Sequence, residues 1–121
     1  MRTKIYYTIF LFLLASCGSN EFDIDEYHLT ILGKDSPIRC IDINNDSNDS
    51  LEFYTIKNFN SKSRYVISIT SPPEGYIITN CKGDTIRNIV FKKGHQYSIT
   101  NSSVYDASSI THSFQYFSIN N

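Results

Sequence analysis

Beyond residue 26 the apolar positions recur at every second residue, in short runs broken by turn-forming clusters. Tyr27, Leu29 and Ile31 alternate with His28 and Thr30. PIRCIDI (37–43) and LEFYTIK (51–57) follow, separated by a loop of Asn, Asp and Ser. In RYVISIT (64–70) Tyr65, Ile67 and Ile69 fall in one phase. GYIIT (75–79), TIRNIVF (85–91), QYSIT (96–100) and SFQYFSI (113–119) bring the runs to eight. Period-two alternation, β-branched and aromatic enrichment and frequent turn signals predict strands throughout. SPPEG (71–75) predicts a chain reversal, because two consecutive prolines cannot donate to a ladder. No window of a dozen residues past the leader carries helical spacing. Without crossover helices, the expected fold is all-β: an antiparallel two-sheet sandwich of about seven to eight strands.

The N-terminus has another pattern. Arg2 and Lys4 precede an eleven-residue apolar run from Ile5 to Ala15. Spanning a bilayer takes about 20 residues, so the run reads as a secretory signal. Its rivals are a short membrane helix and a buried N-terminal strand. Leu14-Ala15-Ser16-Cys17 resembles the bacterial lipobox: an aliphatic residue, two small residues and a cysteine. The resemblance implies removal of residues 1–16, a diacylglyceryl group on the Cys17 thiol and acylation of the new amine. Two or more acyl chains anchor a protein stably. Gly18 replaces the Asp that retains many such lipoproteins at the inner membrane, which favours the outer membrane. Residues 17–26 then read as the lipidated cysteine and an acidic tether, and residues 27–121 as the domain. Glu21, Asp23, Asp25 and Glu26 resemble the acidic tract of surface-exported Bacteroidetes lipoproteins, and repulsion from an anionic membrane explains them equally well. Whether the protein faces the medium or the periplasm stays open.

Loss of Arg2 and Lys4 with the leader takes the formal net charge from −1 to −3. That balance argues against nucleic acid, which calls for a basic stripe. Nine acidic residues lie between Glu21 and Glu52 against Lys34 and Arg39, whereas three acidic residues face seven basic ones afterwards. Cys40 and Cys81 remain in the mature chain. In an oxidising compartment they form either a disulfide, contributing roughly 4 kcal/mol by loop closure, or two buried thiols.

IVFKKGHQYSI (89–99) resembles the E-to-F corner of fibronectin type III and immunoglobulin-like domains. There a large apolar residue ends strand E, a glycine turns the chain and a tyrosine opens strand F. Phe91, Gly94 and Tyr97 take those places. The resemblance implies an Ig-like sandwich in which the Tyr97 hydroxyl bonds back to the corner backbone. Tryptophan and the inter-sheet cysteine pair of true immunoglobulin domains are missing.

The chain carries no nucleophile elbow, zincin helix motif or glycine-rich phosphate loop. His28, His95 and His112 are scattered and read as surface residues. Asp42, Asn44 and Asp46 alternate as oxygen ligands of a calcium loop do, making them a weak calcium candidate. Ser47 and Phe53 stand where an EF-hand needs Gly and Glu, so that motif is rejected. Asp-Ser-Leu (49–51) and Asp-Thr-Ile (84–86) resemble a short O-glycosylation sequon with Ser50 and Thr85 as acceptors. Tyr54, Tyr76, Tyr105 and Phe117 are either core or an aromatic patch for a partner. The expectation is a non-enzymatic, cofactor-free binding or structural module of the cell envelope, with a protein or glycan partner. The alternative is an immunity or inhibitor lipoprotein that neutralises a secreted toxin or enzyme.

Overall fold

The computed structural model describes residues 18–47 and 52–117. These form nine strands: β1 (Phe22–Asp25), β2 (Thr30–Gly33), β3 (Cys40–Asn45), β4 (Phe53–Asn58), β5 (Val66–Ser68), β6 (Tyr76–Asn80), β7 (Thr85–Ile86), β8 (Gln96–Asn101) and β9 (Ile110–Gln115). One sheet has the order β1-β2-β5 and the other β7-β6-β4-β3-β8-β9. Every pairing is antiparallel. The architecture is the two-sheet sandwich that the alternation predicts. Strands β1-β2-β5 stand in the A-B-E places of an Ig-like fold, and β3-β8-β9 in the C-F-G places.

The order departs from that scheme in one respect. The strand paired with β2 is β5, and the β6–β7 hairpin intervenes before β8. Residues 85–91 therefore do not form strand E. Only Thr85–Ile86 pairs, at the outer edge of the six-stranded sheet. To reach β8 the chain must pass β6, β4 and β3, and a segment crossing strands has no neighbour to ladder with. Ile89 and Phe91 are buried on the way, while Val90 is exposed.

Packing follows the pleat. Ile41 and Ile43 of β3, Ile56 of β4, Ile78 of β6 and Ile99 of β8 point inward. They meet Phe22, Ile31 and Ile67 of the smaller sheet in one core, joined by Ile38, Ile69 and Phe114. Fully burying each such side chain contributes about 1.5–3 kcal/mol. The outer face is polar: Thr85, Thr79, Thr55, Asp42, Thr100 and Thr111 align in one row across all six strands. Thr100 and Thr111 share a 2.8 Å hydroxyl contact, one of the cross-strand pairs that stabilise a sheet.

Four strands end alike. Ile43-Asn44-Asn45, Ile56-Lys57-Asn58, Ile78-Thr79-Asn80 and Ile99-Thr100-Asn101 close β3, β4, β6 and β8. Each last asparagine keeps the inward phase of its isoleucine. Its side-chain oxygen accepts from the backbone N–H two residues on, at 2.7 to 3.1 Å. Such Asx turns satisfy a donor that the ending ladder would orphan and bend the chain away from the core.

Residues 18–26 are not a tether. Phe22–Asp25 is β1, registered on β2 from Phe22↔Gly33 to Asp25↔Thr30. The fully buried Phe22 outweighs the acidic neighbours that suggested a solvated tract. Asn20 is buried as well. Its amide nitrogen donates to the carbonyls of Val104 (3.1 Å) and Ser108 (3.0 Å), and its oxygen accepts from the Val104 N–H (2.7 Å). Gly18 has φ +86°, a backbone conformation that favours glycine, and a Cβ there would also lie 2.0 Å from Ser36 Oγ and displace that hydroxyl. The first expected strand also shifts: Tyr27–Leu29 forms a turn, with Leu29 at φ 48°, and pairing begins at Thr30.

Candidate functional site

The sandwich has a near end, where residue 18 and the start of β3 lie, and a far end beyond Asn45. Cys17, with its lipobox, lies outside the described residues, as does Ser50. Cys40 and Cys81 are not joined in a disulfide. Cys40 opposes Lys57, which opposes Ile77. Cys81 is two strands away and four residues along, roughly 16 Å by strand geometry, against the 7 Å limit for a bridge. Cys40 is half-buried and Cys81 exposed, so two buried thiols do not describe them either.

Asp42, Asn44 and Asp46 do not converge. Alternate residues of an extended strand stand about 6.6 Å apart, whereas calcium ligands must lie about 2.3–2.6 Å from one ion. Asp42 accepts from Thr55 Oγ1 at 2.8 Å, and Asp46 accepts from Ser98 Oγ. The histidines are also apart: His28 contacts Asp25 at 2.7 Å, His95 meets Asn45, and His112 packs edge-on to Phe22. Among the described residues no three His, Cys, Asp or Glu side chains gather as a metal site requires.

Residues Phe91, Gly94 and Tyr97 form a packed corner. Tyr97 opens β8 fully buried, and its hydroxyl accepts from the Lys92 N–H at 2.8 Å. The Phe91 ring meets it edge-on at 4.8 Å, and Gly94 makes the turn at φ +84°. Burial pushes the phenol's pKa up, because the phenolate would lose its hydration.

Beside this corner, the far end carries a linked set of polar groups that the sequence did not reveal. Asn45 donates to Glu52 Oε2 at 2.8 Å and contacts His95 Nδ1 at 2.9 Å. Lys92 Nζ forms an ion pair with Glu52 Oε1. That hydrogen bond, followed by the one from Asn45, holds the Glu52 carboxyl below its usual pKa. An opening of about 350 Å³ adjoins the set, walled by Glu52, Tyr54, Cys81 and Ile86. Burial and the nearby Glu52 charge raise the Tyr54 pKa. Among the described residues of the set, the carboxylate is ion-paired and burial favours the protonated form of the phenol.

The second opening at this end is shallow, about 300 Å³, and lined by Glu26, Tyr27, Gln115 and Phe117. Tyr27 is 65% and Phe117 62% exposed. Of the four aromatics expected to be core or patch, Tyr76 is buried and Tyr54 packs against the core, while Tyr105 and Phe117 are exposed. Tyr105 sits at the near end, so these two do not form one patch. Tyr27 is the partner of Phe117 that the sequence missed, since its phase with Leu29 and Ile31 suggested core. Comparison with protein-family models, curated proteins and solved structures gave no match for this chain.

Proposed function

We propose that this protein is a lipid-anchored, non-enzymatic binding module of a bacterial cell envelope, held in the outer membrane through Cys17. The groove between Tyr27 and Phe117 carries the binding part of the reading. Two exposed rings beside a carboxylate (Glu26) and an amide (Gln115) suit a sugar: C–H faces stack on rings while hydroxyls bond the polar pair. The anchoring part rests on the lipobox residues, and the fold gives it a consequence. Only Gly18 separates Cys17 from the pinned Ser19 and Asn20, so a lipid on Cys17 sets the near end against the bilayer. Tyr105, 97% exposed in the loop that Asn20 holds, then lies at headgroup depth, where amphipathic rings are favoured. The Tyr27–Phe117 groove points away from the membrane, toward ligand.

The test compares the native protein with Cys17→Ser and Phe117→Ala variants, by labelled-palmitate incorporation, membrane fractionation and glycan-array binding. Cys17→Ser should lose both label and membrane association, and retention in the membrane would overturn the anchor. Phe117→Ala should bind glycan at least tenfold more weakly while staying membrane-bound. Absence of glycan binding by the native protein would overturn the sugar reading.

A further inference from the structure

From Phe53 to Pro73 the chain has no Asp or Glu, while Lys57, Lys62 and Arg64 supply cations. These three lie on or beside the loop at 58–64, which joins β4 to β5 at the near end. Arg39 is next to it, its carbonyl accepting from the Asn58 N–H at 2.8 Å. All four cations are exposed, and among the described residues none of them forms an ion pair. Glu74 flanks this corner beside Gly75, whose carbonyl accepts from the Phe59 N–H. Glu21, Asp35 and Asp106 lie across the end, by the chain start, where Asp35 accepts from Ser19 Oγ.

The loop is firmly held, yet it shows an aromatic ring to water. Asn58 Oδ1 accepts from the Asn60 N–H at 2.7 Å, and Asn60 Oδ1 from the Lys62 N–H at 2.9 Å. Asn58 also donates its amide to Lys62 O at 2.8 Å. Phe59 stays 64% exposed on this frame, with Lys57 Nζ 5.7 Å from its ring centre. An exposed ring among unpaired cations is the make-up of a membrane-surface contact. The ring enters the interface while the cations meet phosphates.

We infer that the 58–64 loop is a second membrane contact, seated on anionic headgroups of the bilayer that holds Cys17. The inference rests on the anchor reading for its orientation. Two observations put loop and anchor at one surface. A Cβ at Gly18 would touch Ser36, so the chain start abuts the segment at 34–37. Flanking that segment, Gly33 and Ile38 donate their N–H groups to Tyr65 O and Arg64 O, at 2.7 and 2.8 Å. A lipid on Cys17 alone is a single tether, about which a domain can rock. The loop supplies a second point and Tyr105 a third, and three points fix the tilt. Each Lys or Arg near an anionic surface favours binding about fivefold.

The chain contains no tryptophan, so one introduced ring reports its own surroundings. Full-length lipidated protein carrying Phe59→Trp is reconstituted in phosphatidylcholine vesicles, with or without phosphatidylglycerol. Phe117→Trp, nearly as exposed but at the far end, is the control. Flotation tests the anchor, and quenching of the floated protein by lipid brominated on its acyl chains tests the loop. Both proteins should float. With phosphatidylglycerol, Phe59→Trp should be quenched about threefold more than Phe117→Trp. Adding Lys62→Glu and Arg64→Glu should abolish that excess. These reversals change only exposed side chains, so melting should stay within a degree or two of Phe59→Trp alone. Floated Phe59→Trp quenched no more than the control overturns the loop contact and leaves the anchor standing. Equal quenching without phosphatidylglycerol, or after charge reversal, overturns anionic headgroups as what the loop meets. Protein that does not float overturns the anchor reading and this inference together.

Discussion

The two ends of the six-stranded sheet solve the same problem with different chemistry. Each is closed by inward-phased asparagines in Asx turns: Asn58 and Asn101 at the near end, Asn45 and Asn80 at the far end. At the near end the bonds made by Asn101 and Asn20 stay within neutral groups, and a charged partner enters only at the exposed surface, where Ser19 Oγ donates to Asp35 at 2.7 Å. Asn101 donates to Asn20 O at 3.0 Å, and the Asn20 amide holds the 104–108 loop. At the far end Asn45 bonds a carboxylate, which in turn pairs with Lys92. Amide-to-backbone bonds hold at any ordinary pH or salt concentration, whereas an ion pair near water weakens with both acid and salt. A fixed chain start needs the first kind. An end whose openings are lined by rings and polar side chains tolerates the second.

The largest effect should come from breaking the near end. Asn20→Ala removes the acceptor for the part-buried Val104 N–H and the donor for the Val104 and Ser108 carbonyls. A fully buried polar group left unsatisfied costs about 1–3 kcal/mol and a part-buried one costs less, so a loss of about 3 kcal/mol is expected for the three together. A domain of this size should then melt roughly 12–24 °C lower. Scanning calorimetry checks it, and a shift within a few degrees would mean the N-terminal segment is held by β1 alone.

A smaller loss should follow at the far-end corner. Tyr97→Phe leaves the core volume nearly unchanged but deprives the Lys92 N–H of its acceptor. The cost should be about 1 kcal/mol in urea unfolding, with the slope unaltered. If Tyr97→Phe is neutral, water has replaced the hydroxyl, and the corner is held by the Phe91–Tyr97 ring contact instead.

How far each end could be read in advance depends on the range of its interactions. The strands were legible because alternation is local: Ile41, Ile43, Ile56, Ile67, Ile78 and Ile99 all face inward as their phase requires. The corner was legible because Phe91, Gly94 and Tyr97 lie within seven positions. Strand β1 was not, since Phe22 and Ile24 give only two apolar positions amid four acids. The crossing at 87–91 was hidden because TIRNIVF carries strand-like composition, and nothing in it records that its neighbours run across its path. Glu52 and Lys92 stand 40 residues apart, with no local signal linking them. The asparagines did carry one: an inward-phased Asn two residues after an Ile, repeated at four strand ends, marks where each ladder stops.

The smallest effect is the one that distinguishes the ends most directly. Glu52 has a folded-state pKa below the unfolded carboxyl value of about 4.3. A depressed carboxyl contributes stability that is fully present above the unfolded value and is lost as pH falls through the folded one. Native protein should therefore lose stability below about pH 4.3, in part through this group. Glu52→Gln keeps one acceptor oxygen, for either Lys92 or Asn45, and sets its NH2 group against the other donor. It also removes the titration, so the variant should start less stable and its stability should decline less over the same interval. Because the pair is partly solvated, the difference should stay under about 1 kcal/mol and shrink in molar salt. The same scan on Asn20→Ala should parallel the native curve, offset but with equal slope, since no titrating group bonds that amide. A pH-dependent offset for Asn20→Ala would show that the near end is coupled to charge after all, and the contrast between the two ends would fail.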